Sequence, residues 1–277
     1  MHSVITVSDK LKELGEFIDF VKAEKGLDLN VYRSTFIKRR LMMRMGYCNI
    51  SAVCDYIDIL RDNSAEWDNF LKSLSINVSE FFRDKDVFDF FYKNCLEKIV
   101  NNKMIKKEKM INFWSAGCSH GEEPYTLAIM LLEFLKDRNE FVPRVLATDI
   151  DAQALDIAKE GLFKEDLLKN VSPFILRKYF TRMNSGRWAV NDSVKKIVSF
   201  RKHNLFDEPL FKYMDVVFCR NVRIYFDTKQ AHRVLWHIRN SLRKGGYLVL
   251  GKVETMPSFL KKYFVVVEKR YKIFQKN

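Results

Sequence analysis

Between Met110 and Gly161 the chain alternates two short apolar runs with two longer amphipathic ones, and this constrains its fold more than any other feature. "MINFWSAG" (110–117) reads as a buried strand and "PYTLAIMLLEFLKD" (124–137) as a helix. "RVLATDI" (144–150) is a second strand, and "DAQALDIAKEG" (151–161) a second helix, with Asp151 placed to cap it and Gly161 to end it. The alternation is the signature of an α/β sheet. Further strands are expected at "IVSFRKHN" (197–204), "MDVVFC" (214–219) and "YLVLG" (247–251). A helix is expected over 228–246 with Asp227 as its N-cap, and "FVVVEKRYKIFQK" (264–276) as one added strand closing the sheet. Turn residues around a short apolar piece in "SGRWAVNDS" (185–193) predict a small antiparallel flap near 180–196.

Upstream the periodicity is different. Apolar residues recur at helical spacing through 11–26, 34–47 and 51–76, which predicts an all-α domain over residues 1–75 followed by the α/β domain over 76–277. "NNKMIKKEKM" (101–110) reads as a lysine-rich connector. No run approaches the roughly 20 apolar residues that cross a bilayer, and charged residues come too early in "MHSVITVSDKLKELGEF" for a signal peptide. A cytoplasmic protein that is not inserted in a membrane is expected. The five cysteines form no C-x-x-C pair and no cysteine–histidine cluster, so free thiols and no metal are expected. A net charge of +13 favours an acidic partner, which by charge alone is a nucleic acid, an anionic membrane face or an acidic protein surface.

The first strand-to-helix turn, "WSAGCSHGEEPY" (114–125), carries the chemistry. In a doubly wound sheet this turn meets the cofactor. A dinucleotide site wants three close-set glycines and a bare helix N-terminus for pyrophosphate. Here only Gly117 and Gly121 are present, and Glu122 and Glu123 occupy the positive helix end. A nucleoside with a positive centre suits the loop better: carboxylates would face an ammonium or sulfonium, and Asp149, ending the next strand, would accept from ribose hydroxyls. S-adenosylmethionine has those features. The two glutamates also suit simple stabilisation of the helix's first turn, and Asp149 a turn or a cap.

Five longer segments add a resemblance. "NVSEFFRD" (77–84), "FWSAGCSHGEEPYTLA" (113–128), "ATDIDAQAL" (147–155), "HNLFD" (203–207) and "FCRNVRIYFD" (218–227) resemble the CheR-type chemoreceptor glutamate methyltransferases, and "IKRRLMMRM" (37–45) and "SAVCDYIDIL" (51–60) resemble that family's helical domain. The resemblance spans roughly residues 28 to 256. It implies a doubly wound, Rossmann-like methyltransferase sheet with a small antiparallel flap, preceded by an all-α domain. It also implies transfer of methyl from S-adenosylmethionine to receptor glutamates, giving γ-methyl esters and S-adenosylhomocysteine in sensory adaptation. By motif, Asn77, Ser79 and Arg83 would line the cofactor with Gly117. Glu123 and Asp149 would hold its amino-acid and ribose ends, and Asn204, Leu205, Arg220 and Asn221 would complete the pocket. Arg83 and Tyr225 would position the reacting groups. Four places depart from the family pattern: Ser79 for threonine, His120 for a small hydroxyl residue, Arg223 within an apolar run, and Lys252–Val253 for a His-Ser pair. Arg223 and Lys252 either alter the substrate entrance or simply reflect a chain rich in lysine and arginine.

The chemistry agrees. A glutamate with a reference pKa of about 4.3 is already ionised at neutral pH and needs no general base. Amino-group methylation of bases often uses an Asn/Asp-Pro-Pro-aromatic strand end, which "CRNVRIYF" lacks, and no cysteine follows a proline as cytosine carbon methylation often requires. Cys118 and Cys219 read as packing residues. In a helix over 34–45, Arg40 and Arg44 lie one turn apart beside Phe36 and Met43, with Ile37, Leu41 and Met45 buried. That cationic face with apolar inserts is the expected dock for acidic receptor helices, with nucleic acid set aside by the motifs. The rival readings are an S-adenosylmethionine-dependent RNA or small-molecule methyltransferase and a non-catalytic S-adenosylmethionine-sensing signalling module.

Overall fold

A computed structural model of the chain describes residues 7–74 and 79–277. Two compact units emerge, one of Met1–Ile76 with Tyr225–Ala231, the other of Asn77–Ile224 with His232–Asn277.

The first unit is helical: α1 (Val7–Lys25), α2 (Ser34–Tyr47), α3 (Val53–Asp62) and α4 (Ser64–Leu74). Leu14, Phe17, Ile18 and Val21 recur at three- and four-residue spacing along α1, and their burial against Leu41, Tyr56, Leu60 and Phe70 is what makes a highly charged helix stable here. Asn63 caps α4 by accepting from the Glu66 amide at 3.1 Å.

The second unit opens with α5 (Lys85–Asn94) and α6 (Leu96–Ile105), then β1 (Met110–Ala116), α7 (Glu122–Leu135), β2 (Val142–Asp149) and α8 (Ala152–Glu160). Next come β3 (Leu162–Phe163), α9 (Pro173–Tyr179), β4 (Phe180–Arg182), β5 (Trp188–Val190), the short α10 (Asp192–Lys195), β6 (Val198–Lys202) and β7 (Met214–Cys219). The chain finishes with α11 (Thr228–Ser241), β8 (Leu242–Leu250), β9 (Phe264–Glu268) and β10 (Ile273–Lys276). Seven strands form one sheet in the order β6-β2-β1-β7-β8-β10-β9. Pairings from β6 to β8 are parallel, while β10 runs against both β8 and β9. Strand order reverses between β1 and β7, which places a ligand crevice at their carboxyl ends. Every residue of β7 is buried, as a central parallel strand requires. Asp151 caps α8 through the Gln153 and Ala154 amides, Gly161 ends it at φ 65°, and Asp227 accepts from the Lys229 and Gln230 amides at the start of α11.

The expected α/β architecture with its flap is present. The flap is a three-stranded antiparallel sheet, β3-β5-β4, so it draws one strand from Leu162–Phe163, well before 180. Three other details differ. The lysine-rich connector is helical to Ile105, because Leu96, Ile99 and Val100 give α6 an apolar face that packs into the core. The helix expected to reach Gly246 ends at Ser241, where the chain turns into β8 and pairs with β7. The last segment is two strands, turning between Glu268 and Ile273.

Candidate functional site

The crevice is built from the ends of β1, β2 and β7 and from the Ser79–Asp86 segment. Its first turn bends at Gly117, φ 78°, where a Cβ would stand 2.5 Å from Val222 Cγ2, and at Gly121, φ 100°, the N-cap of α7. Ser119 between them is also left-handed, at φ 50°. The loop is held open by Asp149: its Oδ2 accepts from the Ser119 amide at 2.8 Å and its Oδ1 from the Asp151 amide at 3.0 Å. Burial raises the Asp149 pKa, with the two backbone donors pulling the other way.

At the start of α7 the two glutamates take different roles. Glu123 turns to the protein, accepting from Ser115 Oγ at 2.7 Å and from Arg220 Nη1 at 3.3 Å. Burial lifts its pKa in spite of those partners. Glu122 is 1% exposed and receives the Ser79 hydroxyl, yet its Oε2 has no hydrogen-bond partner among the described residues. Burial pushes its carboxyl up to about 7. A buried carboxylate oxygen without a donor costs a few kcal/mol, and a cationic ligand is what relieves it. Three desolvated carboxyls, Glu122, Glu123 and Asp149, thus gather around one bend, a setting suited to positive charge.

Arg220 is the brace of the site. It is 6% exposed, and besides Glu123 its Nη2 donates to the Arg83 carbonyl at 2.9 Å and to Asp84 Oδ2 at 2.6 Å, while the guanidinium lies over the Phe88 ring. The resemblance places Arg220 in the cofactor pocket; here its two terminal nitrogens bind protein groups, while its Nε has no hydrogen-bond partner among the described residues. Arg83, through its charge, reaches Glu123. Asn221 is left-handed at φ 59° and its amide donates to Glu254 Oε2 at 3.2 Å. Asn204 forms an Asx turn, its Oδ1 accepting from the Phe206 amide at 3.1 Å, with Leu205 buried beside it. Asn77 lies outside the described residues.

Tyr225 belongs to the first unit, where its ring packs 5.2 Å from Phe36 and its carbonyl accepts the Arg33 amide. On α2, Ile37, Leu41 and Met45 are buried as expected, but so is Phe36, under the Arg40 guanidinium. Arg44 is not a surface cation. Its Nε donates to Glu66 Oε1 at 2.9 Å and its Nη2 to Oε2, and Tyr56 donates to the same carboxylate at 2.7 Å. The exposed apolar groups on this helix are Met42, Met43 and Tyr47.

Two departures from the family pattern pair with carboxylates of neighbouring segments, Arg223 in the interior and Lys252 at the surface. Arg223 is buried, its amide donating to Glu254 Oε1 at 3.1 Å and its Nη2 to the Thr255 carbonyl. Lys252 Nζ reaches both oxygens of Asp86 at 2.8 and 2.9 Å. His120 is half-buried, and desolvation lowers its pKa against the pull of Asp151 and Asp149. Cys118 and Cys219 are buried with their thiols pushed up by desolvation, so they are inert packing groups. Sequence reasoning missed Asp84, Asp86 and Glu254, the acceptors that fix the crevice walls. The only signal was that "FRDKD" and "GKVET" carry them beside residues already singled out.

A parallel sheet of this strand order with a reversed β10, and carboxylates where a dinucleotide would need bare amides, defines the Rossmann-like S-adenosylmethionine-dependent methyltransferases. Two family models match, the CheR methyltransferase SAM-binding domain over residues 77–273 and the CheR methyltransferase all-alpha domain over 12–75. The chain is 34% identical over 249 residues to a chemotaxis protein methyltransferase of Borreliella burgdorferi, covering 88% of each chain. It is 32% identical over 273 residues to one of Vibrio parahaemolyticus, covering 95% of this chain and 96% of that one. This chain belongs to the CheR methyltransferase family. No helix among the described residues is long and apolar enough to cross a membrane.

Proposed function

We propose that the protein methylates glutamate side chains of chemotaxis receptors, forming γ-methyl esters, and that it acts in the cytoplasm on the receptors' acidic helices. The observation that carries this is the match of both halves of the chain to one family whose relatives are named chemotaxis protein methyltransferases. S-adenosylmethionine, when bound, supplies an electrophilic methyl group on a positively charged sulfur. The residues present fit it: the unpartnered oxygen of Glu122 suits its ammonium, Asp149 keeps lone pairs for ribose hydroxyls beyond its backbone bonds, and Gly117, left-handed at φ 78°, supplies the tight bend of the loop. Glu123, held by Arg220, steadies the wall behind Glu122 and adds negative potential. Ser79, Asn204, Leu205 and Asn221 line the remainder, with Asn77 preceding them in the chain.

The acceptor carboxylate arrives ionised, so the protein's task is alignment, which can supply about 7–11 kcal/mol. Arg83 orients that carboxylate with a planar fork. Arg40 remains the docking cation on α2, whereas Arg44 holds that helix in place. Labelled S-adenosylmethionine mixed with the protein and receptor cytoplasmic fragments should yield protein-bound label that alkali releases as a volatile product. Label that resists alkali, or that appears on RNA, would overturn the assignment.

A further inference from the structure

We propose that Lys252 is a positioning residue for cofactor capture, an electrostatic latch that holds the Ser79–Asp86 segment in the conformation that presents Ser79 and Arg83. This rests on the methyltransferase reading above. The segment is internally strained: Phe82 at φ 51° and Asp84 at φ 59° are left-handed without being glycine, a state that persists only where the surroundings over-determine it. Two cations do so. Arg220 grips Asp84 Oδ2 at 2.6 Å from the β7 side, with its side chain only 2% exposed. Lys252, from the loop after β8, grips Asp84 Oδ1 at 3.4 Å and Asp86 at 2.8 Å, which also holds its own pKa above the ordinary value.

Without Lys252, Asp84 and Asp86 would stand two residues apart with Arg220 opposing the charge of Asp84 and the first-turn amides of α5 left to oppose that of Asp86. The lysine is itself aimed, because Glu254 accepts the amides of Gly251 at 2.7 Å, Asn221 at 3.2 Å and Arg223 at 3.1 Å, stitching the β8 loop to the β7 loop. Three chain segments around the crevice therefore share one ionic ring, and its weakest member is the solvent-facing one. Lys252 and Asp86 side chains are 36% and 38% exposed, so salt screens that pair while sparing the Arg220 pair.

The test is S-adenosylhomocysteine binding by calorimetry, together with amide hydrogen exchange over residues 79–86, in Lys252→Met and Lys252→Arg at low and high salt. Lys252→Met should weaken binding roughly 3- to 10-fold at low salt and speed exchange locally, with protection restored at saturating ligand. Lys252→Arg should recover both. High salt should bring the wild type towards Lys252→Met. Wild-type affinity and exchange in Lys252→Met would overturn the latch, and so would exchange accelerated across the whole domain, which marks a general stabiliser. Locally faster exchange in Lys252→Met beside a wild type that binds no S-adenosylhomocysteine would strike at the methyltransferase reading, and the capture role would fall with it.

Discussion

Glu122 concentrates the chemistry of the site at the level of one residue, since burial holds its carboxyl neutral to about pH 7 against an ordinary 4.5. A folded-state pKa raised in this way favours the folded protein fully below about pH 4.5, and the advantage is lost as pH rises through 7. Glu122→Gln should therefore be nearly neutral in urea unfolding at pH 5 and stabilise the unliganded protein by roughly 2–3 kcal/mol at pH 8. A shift of the same size at both pH values would remove the titration from the account. Because an ammonium favours the ionised form, wild-type affinity for S-adenosylmethionine should climb between pH 6 and 8, and the climb should be absent in Glu122→Gln. Asp149→Ala removes an acceptor and unties the Ser119 amide, so cofactor binding should weaken by about 1–3 kcal/mol; unchanged calorimetric affinity would take Asp149 out of the pocket. Arg83→Lys keeps charge but loses the planar fork, and single-turnover transfer should slow about 5- to 100-fold with cofactor affinity kept. A wild-type rate would leave Arg83 as a neighbour only.

Single elements show how a sequence pattern can be right about burial and wrong about chemistry. On α2 the three-and-four spacing of Ile37, Leu41 and Met45 gives the buried face, but nothing in the spacing reveals that Glu66 waits for Arg44. Arg44→Ala should destabilise the protein by roughly 3 kcal/mol in denaturant titrations, because it strands a buried carboxylate. Arg40→Glu should leave stability nearly intact and slow receptor methylation, chiefly at low salt; if the rate holds at low salt, this face is ordinary solvated surface. The α11–β8 junction teaches the same lesson. "LRKGG" has helical neighbours in sequence, yet Leu242 pairs with Met214, and Gly246 sits where a Cβ would meet the Met214 carbonyl at 3.0 Å, a non-local demand no window of sequence contains. α5 and α6 were hidden for a related reason: lysines and asparagines dominate their exposed sides, and only packing against the sheet makes Phe88, Phe91 and Ile99 informative. By contrast the caps Asp151 and Asp227 were legible because capping is local chemistry.

For the molecule as a whole, the glycines and carboxylates of the first turn disclosed the ligand class, while the ionic ring that fixes the crevice stayed unreadable because its bonds join residues 136 and 166 positions apart in the chain. A net charge of +13 gives a further expectation: the initial rate on acidic receptor fragments should fall as ionic strength rises, whereas binding of S-adenosylhomocysteine should fall only mildly. Equal salt slopes for the two would mean that charge does not guide the encounter. The flap also bears on how such an enzyme can diversify. The Val190 amide donates to the Gly161 carbonyl at 2.9 Å, so the stretch from Leu162 to Ala189 leaves and rejoins the parent domain side by side, while Phe163, Leu168, Tyr179 and Phe180 root it in the core. An excursion pinned in this way is variable from its tip: the exposed residues 181–187 are free to lengthen, shorten or change their surface, and the strands beneath need not be rethreaded to accept the change.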